Sequence, residues 1–322
     1  MPSVRSIISG LMALAPLAAA APAGIIARQG TSSSTTSSAA AATSSAAAVP
    51  PAAAPAAGKG LTDVDILQFA LTAEHLESTF YSQGFAKFPM SDFTALGLTD
   101  SQVKTLMVVG QTEATHVTTL QAAIAGAGAK PVEPCMYNFN ASLKDAKTMV
   151  ATARVLEAVG VSAYLGAAPL VNSSDVLTAA ATIVTVEARH QAFIRSASGA
   201  EPIPAAFDTP LGPRAVFTLV SQFISSCPEG SNLNIQAFPS IALQNPEQAA
   251  VGSNLKLADA ANPAGAQFCA FVAPGGNQFS PISDGNCVVP QNLSGEVYMM
   301  ITKSQSVTDA EVLAGPSVIQ PS

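Results

Sequence analysis

Glu113-Ala114-Thr115-His116 and Glu187-Ala188-Arg189-His190 repeat one short pattern in a chain that holds only three histidines. With eleven glutamates in 322 residues, a position three before a histidine is glutamate about 3% of the time, so two such matches among three histidines arise by chance in about three chains in a thousand. On a helix, spacing i, i+3 sets both side chains on one face, where a carboxylate oxygen and an imidazole nitrogen reach the same ion. Met107, Val108, Val109, Val117 and Leu120 flank the first motif, and Ile183, Val184 and Val186 the second. These apolar runs leave little polar face, which argues against solvated glutamates and histidines that merely fill a core.

Outward from the motifs, apolar residues at three- and four-residue spacing predict a first helix over 63–81. Residues 82–98 are rich in Gly, Phe, Pro and Asp, and Thr99-Asp100-Ser101-Gln102 then forms a capping-box signature that opens a second helix, running to the glycines at 126 and 128. Ser142-Leu143-Lys144-Asp145 starts a third helix that must stop near Pro169. Asn172, Ser173 and Ser174 open a fourth that ends around Ser198-Gly199, and a shorter fifth spans Pro213 to Ser226. The few residues between the third and fourth helices make those two antiparallel neighbours. The link between the second and third, about fifteen residues at ~3.3 Å each, can span a helix of ~40 Å. The expected fold is mainly α: an antiparallel four-helix bundle with a long crossover between helices two and three, a short fifth helix, and a small C-terminal β-rich unit.

The first and third helices carry matching companions to the motifs, Glu74 with Tyr81 and Glu157 with Tyr164, each tyrosine two turns beyond its glutamate on the same face. The order Glu, Glu-x-x-His thus occurs twice, with 39 residues from Glu74 to Glu113 and 30 from Glu157 to Glu187. This pattern looks like the ferritin-like superfamily of di-iron and di-manganese carboxylate proteins. Phe69-Ala70-Leu71-Thr72-Ala73-Glu74-His75-Leu76-Glu77 and Ala205-Ala206-Phe207-Asp208-Thr209-Pro210 resemble the secreted fungal ferritin-like proteins of the stress-response or late sexual development type. The resemblance covers about residues 61–227. It implies carboxylate ligands at Glu74, Glu113, Glu157 and Glu187 and imidazole ligands at His116 and His190, holding two Fe or two Mn ions. Independently, four buried carboxylates without counter-charge would be costly, and two divalent cations balance them. His75 reads as a surface or supporting residue, Glu77, on the face of Glu74, as a solvated residue ahead of an extra carboxylate, and Tyr81 and Tyr164 as either hydrogen-bond donors to the site or core aromatics.

The remaining chain speaks about compartment. Residues 1–21 read as a secretory signal peptide and 22–60 as a Ser/Thr/Ala/Pro-rich stalk that cannot bury enough surface to order itself. Asn140, Asn172 and Asn292 stand in N-x-S/T sequons. Cys135, Cys227, Cys269 and Cys287 allow three pairings, of which sequence order favours Cys269–Cys287 and Cys135–Cys227. A net charge of -7 argues against nucleic acid as a partner, and the C-terminus lacks the apolar tail of a lipid-anchor signal, so no membrane anchor is expected. Residues 228–322 show short β-rich runs at 268–272, 287–289 and 297–302. The functional expectation is a secreted di-metal protein acting on dioxygen or peroxide; the alternative is a non-enzymatic extracellular stress protein in contact with the cell wall. Metal, electron donor and oligomeric state are not specified by the sequence.

Overall fold

A computed structural model describes residues 61–229, 235–245, 249–258 and 263–321; the expected signal peptide and stalk lie outside the described residues. Four long helices dominate: α1 (Asp63–Lys87), α3 (Asp100–Gly126), α4 (Ala146–Ala167) and α5 (Ser174–Ala197). A short α2 (Met90–Thr94) lies between the first two, and α6 (Pro213–Val220) follows the last. Thr62 and Thr99 close full capping boxes with Asp65 and Gln102, and Asp145 and Ser173 cap α4 and α5 through their side chains. α1 packs chiefly on α3 and α4 on α5, with further contacts of α1 with α4 and α3 with α5.

α1 runs past Tyr81, the expected end, to Lys87. Gly84 does not break it because its bare Cα lies against Met149 and Leu143, where a Cβ would collide. Polar groups of α1 hold the crossover to α4. The Gln68 side chain donates to the Lys130 carbonyl at 2.7 Å and accepts from the Val132 N–H at 2.8 Å, while His75 Nε2 lies 3.1 Å from the Val132 carbonyl. His75 is therefore a buried strut, not a surface residue. A disulfide joins Cys135 to Cys227, and beside it β1 (Met136–Tyr137) pairs antiparallel with β2 (Ile224–Ser226). That pairing ends the fifth expected helix early: α6 stops at Val220, and a 3-10 turn over Ser221–Phe223 leads into β2.

The C-terminal part holds a two-stranded sheet, β3 (Asn254–Lys256) with β6 (Asn286–Val288). A four-stranded antiparallel sheet runs in the order β5 (Gly276–Pro281), β4 (Phe268–Ala273), β7 (Val297–Thr302), β8 (Val312–Ile319). The Cys269–Cys287 disulfide links the two sheets. Alternation along the strands sorts the faces. Ala270, Val272, Tyr298 and Met300 join the helical core, whereas Cys269, Phe271, Met299 and Ile301 build a separate one. The sheet is fastened to α4 and α5 by polar contacts: Tyr298 Oη donates to the Ala158 carbonyl at 2.9 Å. The buried Glu296 carboxylate accepts from Arg154 Nε at 2.6 Å, Arg195 Nη1 at 2.5 Å and Gln191 Nε2 at 3.0 Å. The two helices that carry half of the motif residues are thus bound into one unit with the sheet. All three sequon asparagines, Asn140, Asn172 and Asn292, are exposed.

Candidate metal centre

The helix faces that the spacing predicts meet in the middle of the helical unit. Glu74 comes from α1, Glu113 and His116 from α3, Glu157 from α4, and Glu187 and His190 from α5. Glu113, Glu157 and Glu187 are 0% exposed and Glu74 1%, so four carboxylates share a region from which water is excluded. His116 Nδ1 lies 3.0 Å from Glu187 Oε1, 3.1 Å from Glu113 Oε2 and 3.3 Å from Glu74 Oε2. His190 Nδ1 lies 2.9 Å from Glu113 Oε1 and 3.1 Å from Glu157 Oε2.

The donors form two overlapping sets, Glu74, Glu113, His116, Glu187 and Glu113, Glu157, Glu187, His190, each offering atoms within 4.8 Å of one another. Glu113 and Glu187 belong to both, as two shared carboxylates between a pair of ions would. The residues fit such a pair on two counts. First, Glu74 Oε2, Glu113 Oε1 and both oxygens of Glu187 are buried without a hydrogen-bond donor, a costly state that cations relieve. Glu113 Oε1 is near His190 Nδ1, but one ring N–H aims at one acceptor, and the aligned bond goes to Glu157. Second, donors at right angles about an ion with bonds of ~2.1 Å stand ~3 Å apart, the spacing the imidazole nitrogens and carboxylate oxygens adopt here.

Two tyrosines brace this set, crosswise. Tyr81 of α1 donates to Glu157 Oε1 of α4 at 2.5 Å, and Tyr164 of α4 donates to Glu74 Oε1 of α1 at 2.6 Å. The sequence periodicity places each tyrosine on the face of its own glutamate; the packing of α1 on α4 hands each to the partner helix's glutamate instead. Thr112, which carries no motif signal, contacts His190 Nε2 through its hydroxyl at 2.9 Å. Its position next to Glu113 is the only sequence cue to that role, since a ligating imidazole needs its outer nitrogen held. Glu77 departs from expectation: it is buried, 4% exposed, because it lies one turn from Glu74 on the face that α1 turns to α4.

Without cations, the charges rearrange among themselves. Burial raises Glu74 and Glu77 well above the usual carboxylate range, and for Glu157 burial and the Glu113 charge raise it to about 8. Burial also raises Glu187. Glu113 is the exception: burial opposes its ionisation, but the facing imidazoles of His116 and His190 outweigh this and hold it at about 2. Burial likewise disfavours the imidazolium forms, yet the facing carboxylates lift His116 to about 12 and His190 to about 10. Protons on imidazoles and carboxylates thus stand where cations fit.

Residues 62–200 match the family described as the ferritin-like domain, a stretch that contains all six motif residues. The class defined by fold and site is therefore a mainly helical protein whose residues 62–200 match a ferritin-like domain, with a buried acidic and histidine cluster able to hold metal and a C-terminal β region. The chain is also similar to protein rds1 of Schizosaccharomyces pombe, 25% identical over 185 residues. That match covers 57% of this chain and 45% of the yeast protein, so the chain spans less than half of the relative's length.

Proposed function

We propose that this is a secreted protein whose four long helices form a ferritin-like four-helix bundle, with a long crossover, around a pair of iron or manganese ions that react with dioxygen or peroxide. The carrying observation is the sharing of Glu113 and Glu187 between two donor sets that each end in their own Glu and His, Glu74 with His116 and Glu157 with His190. Four carboxylates and two neutral imidazoles neutralise two divalent ions. Bound there, such ions supply one-electron redox chemistry. The protein's own contribution is positional: Tyr81 and Tyr164 fix the outer glutamates and Thr112 fixes His190. Packing around them excludes water. Two disulfides and three exposed sequon asparagines support an extracellular site of action.

The test is anaerobic loading with Fe(II) or Mn(II), followed by dioxygen or hydrogen peroxide, with consumption followed by electrode and metal oxidation by absorbance. Consumption by the loaded wild type, absent from a Glu113→Ala, Glu187→Ala variant, supports the reading. A loaded wild type that consumes neither oxidant contradicts it.

A further inference from the structure

The two halves of the centre correspond residue by residue. A shift of 83 positions carries Glu74 and Tyr81 of α1 onto Glu157 and Tyr164 of α4, and a shift of 74 carries Glu113 and His116 onto Glu187 and His190. Among the carboxylates of the site the correspondence fails at one position: Glu77 of α1 maps onto Gly160 of α4. The two residues face each other. A Cβ on Gly160 would stand 2.8 Å from Glu187 Oε2 and 3.2 Å from Glu77 Oε1, so the missing side chain on one helix is the space that the extra carboxylate of the other occupies. Glu77 is 4% exposed, and among the described residues no hydrogen-bond donor or cation is recorded against its carboxylate. Its setting is otherwise apolar: it is the one charged residue lining a slot of about 50 Å³ walled by Leu67, Ala73, Leu120, Ala163 and Ile183.

Resting on the reading of the site as a two-ion centre, we propose that Glu77 is a further metal ligand, a fifth carboxylate beside Glu187 that makes the centre asymmetric and suits it to a trivalent ion. Four carboxylates already balance two divalent ions; a fifth negative charge is surplus to that pair and is matched when one ion carries a third positive charge. A buried carboxylate with no protein counter-charge is costly unless a proton or such an ion answers it. Gly160 leaves Glu77 room to approach the ions beside Glu187, and the opposite half of the centre has no equivalent.

The probes are Mn(II) and, as a redox-inert trivalent ion, Ga(III) supplied from a weak chelate. Binding to wild type, Glu77→Gln and Glu77→Asp is followed by competition titration, with circular dichroism as a check on folding. The first variant removes the charge and keeps the shape; the second keeps the charge and shortens the reach. Both are expected still to bind two Mn(II) and to lose more affinity for Ga(III) than for Mn(II), with the Ga(III) loss about tenfold or more, the scale of altered metal-site partners. Wild-type affinity for Ga(III) in either folded variant overturns the proposal while leaving the two-ion centre intact. A wild type that binds neither ion overturns the centre itself.

Discussion

Stripping metal from the protein should leave it most stable near pH 5 and progressively weaker toward pH 8. In the folded, metal-free chain Glu157 titrates at about 8, because burial and the Glu113 charge oppose its ionisation, against 4.5 ordinarily. Between those values the unfolded chain gives up a proton that the folded chain keeps, so stability falls as pH rises. Glu74, Glu77 and Glu187 are raised as well and act in the same direction. His116 and His190, lifted to about 12 and about 10 by the facing carboxylates, add stability below the ordinary 6.5 that is lost as pH climbs above it. Glu113, held at about 2, works oppositely and only below pH 4.5, where its contribution is lost as pH falls. At ~1.4 kcal/mol per unit, the Glu157 displacement alone is on the order of 4 kcal/mol between pH 5 and 8. For a domain of this size that corresponds to roughly 10 °C in Tm. The assay is a thermal melt by circular dichroism of chelator-treated protein across that range, repeated with saturating Mn(II), which should raise Tm most at pH 8. A metal-free Tm that is flat or climbs from pH 5 to 8 would refute the mutual burial of these carboxylates.

Other perturbations separate the parts of the account. Tyr81→Phe removes the donor to Glu157 and Tyr164→Phe the donor to Glu74; each should weaken one of two bound ions by about tenfold, seen as a split in a Mn(II) competition titration, and two unchanged affinities would deny the tyrosines this role. Replacing Cys135 and Cys227 together by Ser opens a link spanning 92 residues and should cost about 4 kcal/mol, read as a lower Tm with metal stoichiometry retained. Glu296→Ala leaves Arg154 and Arg195 without their carboxylate at the seam between helices and sheet; a loss of about 3 kcal/mol in denaturant unfolding is expected, and none would mean the seam is held by apolar packing alone.

Much of this arrangement is legible in the chain. Thr99-Asp100-Ser101-Gln102 opens α3 at the position its capping box requires, and the Glu-x-x-His spacing sets four side chains on inward faces. What local pattern conceals is whatever depends on a distant partner. Residues 82–87 read as lying beyond the first helix and belong to α1, where Gly84 packs against Met149. Residues 224–226 read as helix and form a strand because Cys227 is tied to Cys135 beside β1. Glu77 shares the face of Glu74 in the sequence and reads as solvated ahead of an extra carboxylate, whereas its burial follows from Gly160 on another helix. The crossed tyrosine contacts have the same origin: periodicity fixes the face of a helix, and packing alone decides which neighbour meets it. Met107 and Val108, read as part of an apolar surround, are exposed.

The most direct measurement is elemental analysis by mass spectrometry of the purified protein beside its Glu113→Ala, Glu187→Ala variant. The account predicts close to two iron or manganese ions per chain in the wild type and none in the variant, because both donor sets lose their shared carboxylates together. Folded wild-type protein that carries no metal and takes up neither ion when supplied would contradict it.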